Sequence, residues 1–204
     1  MRPAEIAALV DRLCAAGVDF IKDDEVCANP DIAPLSERVP AVMAVIRKWQ
    51  QRSGRQVMMA FNITDEVDAM RRHADLVAAE GGSCVMASLN WCGLSGMESL
   101  RAHTALAIHA HRNGFGAMSR HPALGMGFQP YHALYRLAGI DHACPWHRRQ
   151  VRRHGGRSDR GHPRLPVAAV RRRPRRPGDA GLFLGSMGRD AASDAGNLAQ
   201  GSRN

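Results

Sequence analysis

The strongest constraint on the fold of this 204-residue chain is the alternation of two apolar periodicities along its first 143 residues. Short runs rich in apolar and β-branched residues recur at 18–21, 57–61, 84–89, 106–110 and 140–143, and each predicts a strand. Segments with helical apolar spacing lie before and between them, at 4–16, 41–51, 66–79, 95–103 and 131–137. The first of these carries Ile6, Leu9, Val10 and Leu13 on one face and closes at Gly17. Strand and helix repeated in this order predict a parallel sheet, because neighbouring parallel strands need a crossover between them. Strand centres near 20, 59, 86, 108 and 141 stand 39, 27, 22 and 33 residues apart, spacings that suit such units.

Charge divides the chain in two. Residues 1–146 hold 14 Lys and Arg against 15 Asp and Glu, whereas 147–204 hold 14 Arg against 4 Asp. The formal net charge of +9 therefore belongs to the second region. Its Arg-, Gly- and Pro-rich stretch at 148–176 is broken by one apolar patch at 165–170, and 181–204 is small and polar. Neither stretch has a periodic apolar face long enough to bury itself, so 144–204 is expected to be a disordered basic tail. No apolar run is long enough to span a membrane, and residues 1–5 lack a signal core. Five scattered cysteines without a Cys-x-x-Cys pair suit reduced thiols better than disulfides or zinc. A cytoplasmic protein with no membrane partner is expected.

The chemistry-bearing motif is Lys22-Asp23-Asp24-Glu25, directly after the first predicted strand. Side chains alternate along a strand, so Lys22 and Asp24 point to one side, and Glu25 can join them where the chain bends into its loop. Two carboxylates meeting there suit a hard, oxygen-preferring cation such as Mg²⁺. An ammonium would repel that ion, but a neutral amine that adds CO₂ becomes a carbamate, a third carboxylate-like ligand. The plain alternative is that acidic clusters after strands are solvated loop residues or helix caps. His103, His121 and His132 read as surface or helix residues, and Met58, Met59 and Met86 as buried strand residues. Arg112 has an alternative reading as a structural ion-pair partner.

The segment from Gly17 to Glu25 (Gly-Val-Asp-Phe-Ile-Lys-Asp-Asp-Glu) resembles the activation segment of the RuBisCO large-subunit superfamily. Phe61-Asn62-Ile63-Thr64 resembles that family's next strand end, and Val85-Met86 with Gly93-Leu94-Ser95-Gly96 the strand and loop after it. Ile108-His109-Ala110-His111-Arg112 is similar to its His-x-His-Arg strand, and Gly139-Ile140-Asp141-His142 to its Gly-x-Asp-His strand. The resemblance runs through residues 1–143 and implies an α/β fold, a partial TIM (β/α)8 barrel with about five of eight strands. It also implies that Lys22 is the carbamylated lysine, with Lys22, Asp24 and Glu25 holding Mg²⁺. Arg112 and His142 would bind a substrate phosphate, and His111 would stand beside the reacting oxygens. A phosphorylated sugar-like substrate, handled as its enolate, and a homodimer follow from the same resemblance. His111-Arg112-Asn113-Gly114-Phe115-Gly116 and Ser119-Arg120-His121-Pro122 resemble RuBisCO-like proteins, and Ala87-Ser88-Leu89-Asn90 lacks the His-Asp-Tyr of carboxylases. The implied activity is that of a Mg-dependent lyase or isomerase of the enolase, isomerase or decarboxylase type in carbon metabolism.

The resemblance stops after His142. Back-translated with a one-base offset, residues 145–154 can give His-Gly-Thr-Gly-Gly-Lys-Phe-Gly-Gly-Thr, and residues 182–195 can give Cys-Phe-Ser-Gly-Gln-Trp-Ala-Gly-Thr-Leu-Pro-Ala-Thr. These are similar to the family's missing glycine-rich loop and Ser-Gly-Gln strand, in the right order. The tail is thus expected to be a frameshift product, a reading that the coding DNA decides. The first barrel strand and the N-terminal domain that completes a partner's site are also expected to be absent. A half barrel would have open edges, poor solubility and no turnover. The competing function is nucleic-acid binding through the arginines of the tail. That region lacks interleaved aromatics, so sequence-independent phosphate binding is all it would supply.

Overall fold

The computed structural model describes residues 1–121 and 123–143, and the basic tail, with its expected disorder and frameshift origin, lies outside the described residues. Five parallel strands follow one another in chain order: β1 (Phe20–Lys22), β2 (Met58–Asn62), β3 (Cys84–Ser88), β4 (Ala107–His111) and β5 (His142–Ala143). The helices are α1 (Pro3–Ala15), α2 (Leu35–Ser53), α3 (Val67–Ala79), α4 (Leu89–His103), α5 (Phe115–Ser119) and α6 (Phe128–Leu137). The expected α/β partial barrel with five strands is what the chain forms.

Alternation along the strands gives the sheet two unlike faces. Ile21, Met59, Phe61, Val85, Ala87, Ile108 and Ala110 face the helices and join Val39, Val42, Ile46, Met70, Val77 and Leu100 in the main core. Phe20, Met58, Ala60, Cys84, Met86 and Ala107 pack together on the other face. That second face is concave. The rings of Phe20 on β1 and His109 on β4 lie 5.2 Å apart although two strands separate them in the sheet. The register sets Lys22 beside Ala60, Asn62 beside Met86, Ser88 beside His111 and His109 beside His142. Lys22, Asn62, Ser88 and His111 are thereby the last residues of their strands on the concave face.

Three elements depart from the sequence reading. Helix α2 begins at Leu35, not at 41, and runs through Pro40. Proline removes one intrahelical bond, yet Leu35, Arg38 and Val39 are all buried, and that burial holds the extra turn in place. Helix α4 starts directly at the end of β3 and bends at Gly93, whose φ of 68° lets the chain turn between two helical pieces. The short helix α5 has no apolar period of its own. It is fixed by Phe115, whose ring meets Phe128 and Tyr131 of α6 at 5.7 and 4.8 Å. Among the described residues, no helix is long and apolar enough to cross a membrane.

Candidate active site at the carboxyl ends of the strands

Strand β1 ends one residue later than 18–21 would have it, so Lys22 is its last residue. Its Nζ donates to Asp23 O at 3.0 Å and to Glu25 Oε2 at 3.1 Å. Across the concave face, Nε2 of His111 stands 3.7 Å from the same Glu25 oxygen. The structure therefore brings Lys22, Glu25 and His111 together at the mouth of the curled sheet. Glu25 is held below its ordinary carboxyl range, first by a hydrogen bond at its own backbone N–H and further by Lys22 and His111, against the effect of partial burial. Burial lowers His111 despite the neighbouring Glu25 carboxylate, so its imidazole favours the neutral form. Its Nδ1 accepts from the backbone N–H of Asn113 at 3.3 Å, which leaves the proton on Nε2, facing Glu25.

Asp24 behaves differently. It is exposed, and its Oδ1 accepts from Val26 N at 2.9 Å, so its side chain caps the local turn. The buried member of the motif is Asp23, a residue that the sequence reading left without a role. Asp23 Oδ2 takes the guanidinium of Arg38 at 3.2 Å and the backbone N–H of Asn62 at 3.0 Å. Burial pushes the Asp23 carboxyl up, and Arg38 and the Asn62 N–H oppose that shift. Arg38 is wholly buried and also donates to Ala28 O and Ala33 O, each at 2.6 Å. A sequence signal existed for Asn62 and Thr64, two polar residues on one side of the chain at a strand end. None existed for Arg38, which sits in a stretch that reads as broken by Pro40.

Arg112 follows His111 at the end of β4 and is half-buried. Asn90 Nδ2 donates to Asn113 O at 2.7 Å and Tyr131 Oη donates to Asn90 Oδ1 at 3.0 Å, which fixes the turn after Arg112. His142 lies deeper, its ring 4.6 Å from His109 and 5.5 Å from Phe20. Burial lowers its pKa, and that of His109 falls to about 3 for the same reason. The Nε2 of His142 has no hydrogen-bond partner among the described residues. His103 and His132 stand on helices as expected, the first 2.8 Å from Asp75 and the second stacked on Phe128.

A match to the model of the ribulose bisphosphate carboxylase large chain, catalytic domain, spans residues 1–145. The chain belongs to the RuBisCO large-chain family. The relatives include both ribulose bisphosphate carboxylase-like proteins and ribulose bisphosphate carboxylases. A 3-oxo-isoapionate-4-phosphate transcarboxylase/hydrolase of Xanthobacter autotrophicus is 51% identical over 142 residues, which is 70% of this chain and 34% of that protein. A 3-oxo-isoapionate-4-phosphate decarboxylase of Rhizobium etli is 46% identical over 142 residues, 69% of this chain and 34% of that protein. The crystal structure of a RuBisCO-like protein from Burkholderia fungorum superimposes with a TM-score of 0.69 at 68% identity, covering 70% of this chain and 35% of that one. The chain thus spans about a third of the length of the curated relatives it matches. RuBisCO-family chemistry prompts a test of whether these residues suit Mg²⁺. Among the described residues, no three His, Cys, Asp or Glu side chains form a metal cluster. The donor set of Lys22, Asp24 and Glu25 suits a hard cation if Lys22 carries a carbamate, since that adds the missing oxygen ligand.

Proposed function

We propose that this site belongs to a RuBisCO-like lyase that forms an enolate from a phosphorylated 3-oxo sugar acid, with Lys22 carbamylated and Lys22, Asp24 and Glu25 holding Mg²⁺. The observation that carries the reading is the meeting of Lys22, Glu25 and neutral His111 at the strand ends. In a 3-oxo acid the carboxylate lies β to the ketone. When the C–CO₂ bond breaks, its electron pair passes into the carbonyl and an enolate results. Mg²⁺ bound there would supply positive charge where the enolate oxygen gathers negative charge. Arg112 binds the phosphate through charge-assisted hydrogen bonds, and the Nε2 of His142, without a hydrogen-bond partner among the described residues, is a further donor at that end. His111, with its proton on Nε2, donates a hydrogen bond to the reacting oxygens, and the proton that ends on the carbanionic carbon comes from solvent. The names of the relatives at 51% and 46% identity favour this substrate class.

A homodimer of cytoplasmic protein is proposed as the assembly of the complete enzyme. The 204-residue chain alone is expected to give no turnover, because the described strands number five and a closed barrel mouth draws on eight. The test is therefore carbamate formation, which needs no substrate. With ¹³C-bicarbonate and Mg²⁺, the chain should show a carbamate carbon resonance that disappears in Lys22→Met. Its absence from the unaltered chain would end the metal reading.

A further inference from the structure

The two adjacent aspartates of the motif differ sharply in burial, and the groups that bury Asp23 also reach the backbone that carries Asp24 and Glu25. Asn62 is central to this. Its backbone N–H donates to Asp23 Oδ2 at 3.0 Å, and its side-chain Nδ2 donates to the carbonyl of Asp24 at 3.0 Å. Its Oδ1 accepts from Thr64 N at 3.1 Å and from Thr64 Oγ1 at 2.6 Å, which fixes the carboxamide so that only its amide end can face Asp24. Thr64 Oγ1 in turn accepts from the backbone N–H of Ser88 at 3.0 Å. One chain of hydrogen bonds thus joins the ends of β1, β2 and β3. Asn62 is fully buried, so water offers no substitute for these bonds.

The Lys22 amine rests on the carbonyl of Asp23 and the carboxylate of Glu25, one residue to either side of the carbonyl that Asn62 grips. We infer that Asn62, oriented by Thr64, is a positioning residue that sets where the turn at 23–25 stands and hence holds the Lys22 amine against Glu25. The inference rests on the reading of Lys22 as the reacting amine for its relevance to catalysis, but not for its test. Asn62 and Thr64 touch no reacting atom. Their effect passes through two backbone carbonyls.

The sequence makes the test clean, because Lys22 and Lys48 are the only lysines of the chain. Competitive acetylation of the full chain, without metal or bicarbonate and read by mass spectrometry, gives the reactivity of Lys22 relative to Lys48. Thr64→Val removes the hydroxyl at nearly constant shape, and Thr64→Ser restores it. Loss of a buried hydrogen bond should raise the Lys22 to Lys48 ratio about fivefold in Thr64→Val and at least as much in Asn62→Ala, with Thr64→Ser returning to the starting ratio. Thermal unfolding of each variant is measured in parallel. A ratio unchanged in Thr64→Val, or equally raised in Thr64→Ser, overturns the inference even if both variants lose stability. Failure of the carbamate experiment in the unaltered chain leaves this ratio untouched, so the two readings fall separately.

Discussion

The turn after β1 and the turn after β4 face each other across the concave sheet but are held by opposite means. The first is anchored by charge, with Asp23 turned inward onto the wholly buried Arg38. The second is anchored by neutral groups, through Asn90 on Asn113 O and Tyr131 on Asn90. The difference follows from what each turn presents. The first offers the Glu25 carboxylate to the mouth, and a guanidinium beneath it balances an aspartate that would otherwise be stranded. The second carries Arg112, and amide and phenol partners hold its turn. Between the turns lie the rings of Phe20, His109 and His142, which couple the two sides beneath the mouth.

The largest break in this comparison should come from Arg38→Met. It leaves Asp23 buried without its cation and frees the carbonyls of Ala28 and Ala33, so a loss of about 3–5 kcal/mol in urea unfolding is expected. A loss under ~1 kcal/mol would mean that water replaces the guanidinium. Acid should act next, through the coupling layer. His109 is 4% exposed and its pKa is lowered to about 3, so its contribution is present above the ordinary histidine value and is lost as pH falls from there toward 3. From pH 7 to pH 5 that amounts to about 2 kcal/mol of lost stability, and His109→Gln should flatten the pH profile by that amount.

On the neutral side the effects are smaller. Gly114 has φ +80°, and an added Cβ would stand 3.3 Å from Asn90 Nδ2. Gly114→Ala should therefore cost about 1–2 kcal/mol in thermal or urea unfolding. Tyr131→Phe removes one hydrogen bond to Asn90 and should cost about 1 kcal/mol. A Tyr131→Phe loss as large as that of Arg38→Met would abolish the contrast between the two turns.

The alternation of periodicities was sufficient to read the parallel sheet, because each strand shows an apolar face to the helices and the helices reply in kind. The site was legible where it depended on strand parity. Lys22 and His111 end their strands on one face, and they meet through Glu25. Strand parity set Asp24 beside Lys22 and left Asp23 without a role, because the partner that buries Asp23 lies outside the motif. That partner, Arg38, comes from a helical turn ahead of Pro40, where local propensity argued for a break and burial prevailed. The aromatic packing that fixes α5 joins Phe115 to Phe128 and Tyr131, contacts that no short-range pattern contains.

Cys84 sits on the concave face, fully buried, with burial raising its thiol to about 12. At pH 8 almost none of it is thiolate, and no alkylating reagent can reach it while the sheet stays curled. The rate at which Cys84 becomes labelled is then a clock for uncurling, read at a single sulfur atom.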